Sequence, residues 1–170
     1  MVVGGAGLSV APSAPPDTLP PVSACAAAGA GFLLAVLWFD LMFDVQAFAR
    51  RGGELSDEVL ASIGSYYARV TTAARPMNRL VALVMAGTLA ALVAEVAEGK
   101  VRAWVAWTSL AFVLGPVALA AARIVPRAVR LGAREGDAAV ESALARSILR
   151  EHVLCALALT VVLVLQLAVA

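Results

Sequence analysis

Apolar residues come in four long blocks, at about 23–43, 77–96, 104–122 and 153–170, separated by stretches where arginine, acids and glycine gather. Each block approaches the roughly 20 residues that a helix needs to cross the hydrocarbon core of a bilayer. The pattern predicts an all-α, polytopic membrane protein: four transmembrane helices in a bundle formed by residues 22–170. Residues 1–21 carry Gly4, Gly5 and Gly7, then Pro12, Pro15, Pro16, Pro20 and Pro21. Prolines this dense block a helix, so this stretch reads as a flexible tail.

The connections have patterns of their own. In residues 45–76, Gly52-Gly53 marks a break, and Ser56 followed by Asp57 and Glu58 has the form of a hydroxyl N-cap with acids in the first turn. A short amphipathic helix should follow, from about 58 to 72, with Val59, Ile63, Tyr66, Tyr67 and Val70 on its apolar side. Its expected place is flat on the cytoplasmic membrane surface. Pro76 suits the first turn of the second span. That span carries Ala86, Ala90 and Ala94 on one stripe and Gly87 and Ala91 on another, spacings that suit close helix packing and self-association. Gly115-Pro116 should kink the third span, and Pro126 should bend its continuation. Beyond Ala122, Arg123, Arg127, Arg130 and Arg134 fall on one helical face until Gly132 and Gly136 end it. Residues 138–150 read as an amphipathic helix running straight into the fourth span.

Composition agrees with a membrane solvent: 62% of the chain is hydrophobic and 15% charged, against about 25% charged in soluble domains. A net charge of +1 gives no bulk attraction to nucleic acid, and the lipid bilayer is the expected partner. Counting the flanks, Arg79 included, eleven of the thirteen basic residues lie in the first and third connections; the second has Lys100 and Arg102. By the positive-inside rule, the first and third connections face the cytoplasm and both termini lie outside, in a multi-pass protein of the cytoplasmic membrane. Richness in Ala, Val, Leu and Arg suits a GC-rich bacterial genome. Cys25 and Cys155 would then lie at opposite membrane faces, out of disulfide reach, with Cys25 a small buried thiol. Glu95, Glu98, Gly99, Lys100 and Arg102 read as a tight polar turn, followed by Trp104 and Trp107 in an interfacial belt.

Candidate chemistry gathers at the cytoplasmic helix ends: Asp40 and Asp44, Arg75, Asn78 and Arg79, Arg123 and Arg127, and Glu151 with His152. Asp40 and Asp44 share a helix face. Asp40 interrupts an apolar run, where an unpaired carboxylate costs roughly 2.5–3.5 kcal/mol on insertion scales, so it should find a partner in the bundle. Arg79 is the expected one. Three readings of this cluster stand side by side: Asp–Arg pairs that fix helix register, a site where Asp40 and Asp44 hold a cation or proton, and a catalytic site with His152 as general base for a lipid-soluble substrate. One histidine excludes bis-histidine haem and disfavours His-rich metal sites, so neither metal nor cofactor is expected. No phosphate loop, nucleophile elbow or dinucleotide fingerprint occurs.

The proline-led second span (Arg75-Pro76-Met77-Asn78-Arg79) and the basic stretch leading through Arg146 to Arg150-Glu151-His152 at the last span resemble a family of four-helix membrane proteins that includes anthrone-oxygenase-like members. The chain departs from that pattern in having no tryptophan before the histidine and no asparagine near the cytoplasmic end of the third span. The resemblance implies, for some members, cofactor-independent oxygenation of polyphenolic substrates, which here would rest on His152. The reading preferred from the residues is a non-enzymatic membrane protein whose inner polar cluster binds a small ligand or ion or docks a partner. A small membrane oxidoreductase comes second, and an ion- or proton-coupled transporter formed by oligomerisation third.

Overall fold

The structure is a computed structural model that describes residues 21–48 and 53–168; residues 1–20 of the expected 1–21 tail and Gly52 of the expected break lie outside the described residues, while Pro21 opens the first helix. Among those residues there are only helices and turns: α1 (Pro21–Asp44), α2 (Asp57–Ala68), α3 (Arg75–Glu98), α4 (Ala103–Leu119), α5 (Val125–Ala133) and α6 (Ala138–Ala168). Four helical stretches are long and apolar enough to cross a membrane: Pro21–Phe48, Arg75–Glu98, Ala103–Ala133 and Ala138–Ala168. Within the described residues, each of the four apolar blocks lies on one continuous helical stretch.

α1 packs against α3 and α6, and α4 packs against the same two. One core cluster joins Ala26, Ala30 and Leu33 of α1 to Leu92, Val113, Leu159 and Val162. Small residues set the spacing. A methyl group on Gly29 would run into the side chain of Thr88, so α1 and α3 touch closely there. This contact, and not the expected Ala86/Ala90 stripe, joins α3 to α1; Ala86, Gly87 and Ala90 face outward. The outer faces also carry large apolar side chains, among them Trp38, Leu83, Trp107 and Leu157.

The second core cluster lies at the arginine-rich end. Leu60, Ile63 and Tyr67 of α2 pack with Ala128 and Leu131 of α5 and with Ala145 and Ile148 of α6. α2 is thus a lid whose inner face is covered by α5 and α6, while Asp57, Glu58, Ala61 and Ser65 stay exposed on the other side. Its apolar face is wide enough to be covered on two sides, and Gly64 and Gly132 allow α5 to approach. Salt bridges tie the same elements together: Arg134 reaches Asp57 at 2.5 Å and Glu141 at 3.1 Å. Arg146 donates to the Gly53 carbonyl, and Ser142 accepts from the Leu55 amide at 2.9 Å.

Several local expectations change. Ser56 occupies the N-cap with an extended backbone, but its hydroxyl makes no capping bond; its carbonyl takes the Leu60 amide instead. Pro116 lies inside α4, which continues to Leu119. The irregularities lie elsewhere, as π-helical turns at Arg69–Ala73 and Ala120–Ile124, each just ahead of a proline (Pro76 and Pro126). A proline ring crowds the carbonyl four residues back and supplies no amide hydrogen, so the preceding turn widens. Cys25 is exposed on α1, where the sequence suggested burial, while Cys155 is buried.

Candidate functional site

Asp44 is the last residue of α1 and has no solvent exposure. Both of its carboxylate oxygens are used: Tyr67 Oη donates to Oδ1 at 2.6 Å, and His152 Nδ1 lies 2.6 Å from Oδ2. One turn earlier, Asp40 Oδ1 accepts from Tyr66 Oη at 2.6 Å. The two aspartates share a face of α1, and the adjacent tyrosines of α2 reach one each. Stacking of Phe43 on Tyr66, with centroids 4.0 Å apart and planes 10° from parallel, holds the Tyr66 ring in place.

The expected Asp40–Arg79 pair does not form among the described residues. Arg75 and Arg79 are exposed at the start of α3, and Asn78 donates to the Thr71 carbonyl at 3.0 Å, closing the π-helical turn. Arg123 and Arg127 are also committed elsewhere. They grip Glu151 at 3.1 and 2.5 Å, and Ser147 accepts from Arg127 at 2.6 Å. Of the nine residues singled out from sequence, Asp40, Asp44 and His152 come together; Arg123 and Arg127 brace the neighbouring Glu151; Arg75, Asn78 and Arg79 stand apart. Tyr66 and Tyr67 were read only as apolar-face residues, although they carry the hydroxyls that the aspartates need.

The geometry fixes the tautomer of His152. A carboxylate only accepts, so the contact at 2.6 Å puts a proton on Nδ1 and leaves Nε2 as the ring nitrogen turned away from Asp44. Among the described residues no side chain bonds Nε2. His152 and Asp40 line a cavity of about 360 Å³ whose other walls are nearly all apolar, including Leu37, Met85, Val113, Val117 and Leu159, with Cys155 beside them. That volume and lining fall in the range of small-molecule sites, which are mostly apolar with a few placed polar groups. A wider hollow of about 1010 Å³ between Trp38, Met42, Val153 and Leu154, with Arg146 and Arg150 at its wall, touches neither Asp40 nor His152.

Burial pushes the Tyr67 phenol above its ordinary value, reinforced by the Asp44 charge; burial and then the Asp40 hydrogen bond do the same to Tyr66. Both stay protonated donors. Tyr67 holds its proton more tightly folded than unfolded, so its contribution is intact below the ordinary tyrosine value near 10 and is lost as pH rises above it. Stability should fall above about pH 10, and Tyr67→Phe should remove about 1.4 kcal/mol per pH unit of that slope. Unfolding measured from pH 8 to 11 checks this; equal slopes in the two proteins would refute it.

Comparison with protein-family models, curated proteins and solved structures returns no match.

Proposed function

We propose that this chain is a multi-pass integral membrane protein whose cavity beside Asp40 and His152 binds a small lipid-soluble molecule carrying an acidic hydroxyl. The observation that carries this is the Asp44-held imidazole on the wall of an otherwise apolar cavity. Such a site takes its ligand from the hydrocarbon phase, buries the apolar body and receives the hydroxyl proton at Nε2. The orienting carboxylate stabilises the imidazolium that results. Apolar outer faces and four sufficiently long helices support a bundle in the bilayer. The arginine-rich connections favour an orientation with the α2 end at the cytoplasmic face and both termini outside. Exposed Ala86, Gly87 and Ala90 suit contact with a second copy.

The second reading, a small membrane oxidoreductase of the anthrone-oxygenase kind, is favoured by the same dyad. Removing a phenolic proton is a step that cofactor-independent oxygenation requires, and an oriented imidazole on a mostly apolar wall is suited to it.

1-Naphthol is a suitable probe. The purified protein in nanodiscs should bind it saturably above the background of empty discs. Val117→Phe, which fills the cavity, should abolish that binding, and His152→Ala should weaken it about tenfold, the loss of one hydrogen bond of about 1.4 kcal/mol. A Val117→Phe protein that melts like wild type and binds naphthol equally well would remove the cavity from the account.

A further inference from the structure

A second buried polar group lies at the opposite end of the helices, and nothing in the cavity reading uses it. Glu95, in the last turn of α3, is 2% exposed. Gln166 of α6, also 2% exposed, donates through Nε2 to Glu95 Oε2 at 2.9 Å and to Ser109 Oγ of α4 at 3.2 Å. Two oxygens here are buried without any hydrogen-bond partner: Glu95 Oε1 and Ser23 Oγ of α1. Ser23 belongs to the inward face of α1, with Ala26 and Ala30. The Gly29–Thr88 contact sets the register of the antiparallel pair. Six residues back along α1 and seven forward along α3, Ser23 and Glu95 reach the same level.

No basic side chain pairs with Glu95 among the described residues. The chain's single lysine, Lys100, pairs with Glu98 at 3.0 Å on the surface. Arg102, the other base at this end, is exposed. A buried carboxylate without a cation is costly, and an orphaned hydroxyl at the same level adds to the cost.

We propose that Glu95, Ser23, Ser109 and Gln166 hold a small monovalent cation, with sodium the best match. The donors are hard oxygens, which select hard cations. One carboxylate neutralises one positive charge, whereas calcium and magnesium sites gather more carboxylates and waters. Gln166 can turn its amide half a revolution and present Oε1, because the two ends of the amide have nearly the same shape. The cation then satisfies both orphaned oxygens at once. This site is independent of the cavity near His152.

The test is thermal unfolding of the purified protein at pH 8 in sodium, potassium or choline chloride of equal ionic strength. Sodium should give a saturable rise of several degrees, potassium a smaller one and choline none. Glu95→Gln should lose the sodium response, and Ser23→Ala should need about tenfold more sodium. Equal melting in sodium and choline overturns the proposal, as does a Glu95→Gln protein that keeps the response. A proton site is the competing outcome: lowering the pH to 5.5 would then stabilise the wild type, Glu95→Gln would flatten that change, and sodium would do nothing. If Glu95→Gln does not fold, the wild-type salt series and Ser23→Ala decide.

Discussion

Replacing Asp44 by leucine should destabilise the protein by about 3–5 kcal/mol, the cost of removing one member of a buried ionic and hydrogen-bonded set. Leucine is close enough in size to fill the space, so packing is not the source of the loss. The loss comes from Tyr67 Oη and His152 Nδ1, which stay buried with no acceptor. Tyr67→Phe removes one donor and leaves Asp44 its histidine, so it should cost only about 1 kcal/mol at neutral pH. Asp44→Asn separates stability from chemistry. The amide oxygen can still accept from Tyr67, while its NH₂ faces His152 and draws the opposite tautomer, with the proton on Nε2. That variant should fold with a smaller penalty than Asp44→Leu and lose the proton acceptor in the cavity. Reversible unfolding in mixed micelles reads both; an Asp44→Leu protein within 1 kcal/mol of wild type would show that the aspartate does not hold the site together.

Gly132→Ala should cost about 1–3 kcal/mol, although alanine is the better helix former. The added methyl would lie 2.7 Å from the Ala68 amide nitrogen and 3.0 Å from its Cα, and backbone atoms cannot swing aside as a side chain can. α5 must then back away from α2, taking the lid and Tyr67 with it. Gly87→Ala is the control: its methyl meets nothing within 4 Å, so the same exchange should gain about 0.5–1 kcal/mol from propensity alone. Opposite signs are expected from the two melts. The same sign in both would mean that the α2–α5 contact is looser than described.

The four long helices were legible because apolar runs of that length have few alternatives. The unbroken passage from the amphipathic stretch into α6 was legible because no proline or glycine lies between Ala138 and Ala168. The convergence of Asp40, Asp44 and His152 followed from their equal distance along antiparallel spans. Their partners did not follow. Arginine is the obvious mate for a carboxylate in a list of charges, yet Arg123 and Arg127 fall on the face that meets Glu151, and Arg79 turns outward. The donors come from α2, whose apolar face was recognised without asking where its two hydroxyls would go once that face was buried. The signal was there: phenols on a buried amphipathic face need acceptors, and the aspartates were the nearest surplus. Glu95 was misplaced for a related reason. Beside Glu98, Gly99 and Lys100 it reads as part of a surface turn, and helical phase alone turns it inward. Gln166, a lone amide in an apolar run, carried the stronger signal.

The most direct measurement is the emission of 1-naphthol bound to the protein in nanodiscs. Naphthol becomes a strong acid on excitation, and it emits as the anion only where an acceptor stands beside its hydroxyl. The proposed site assigns that role to His152 Nε2, since Asp40, the carboxylate in the cavity wall, already takes the Tyr66 hydroxyl. Bound naphthol should emit as the anion in the wild type and as the neutral form in His152→Ala and Asp44→Asn. Neutral emission from the wild type, or anion emission unchanged in His152→Ala, would contradict an Asp44-held proton acceptor in the cavity.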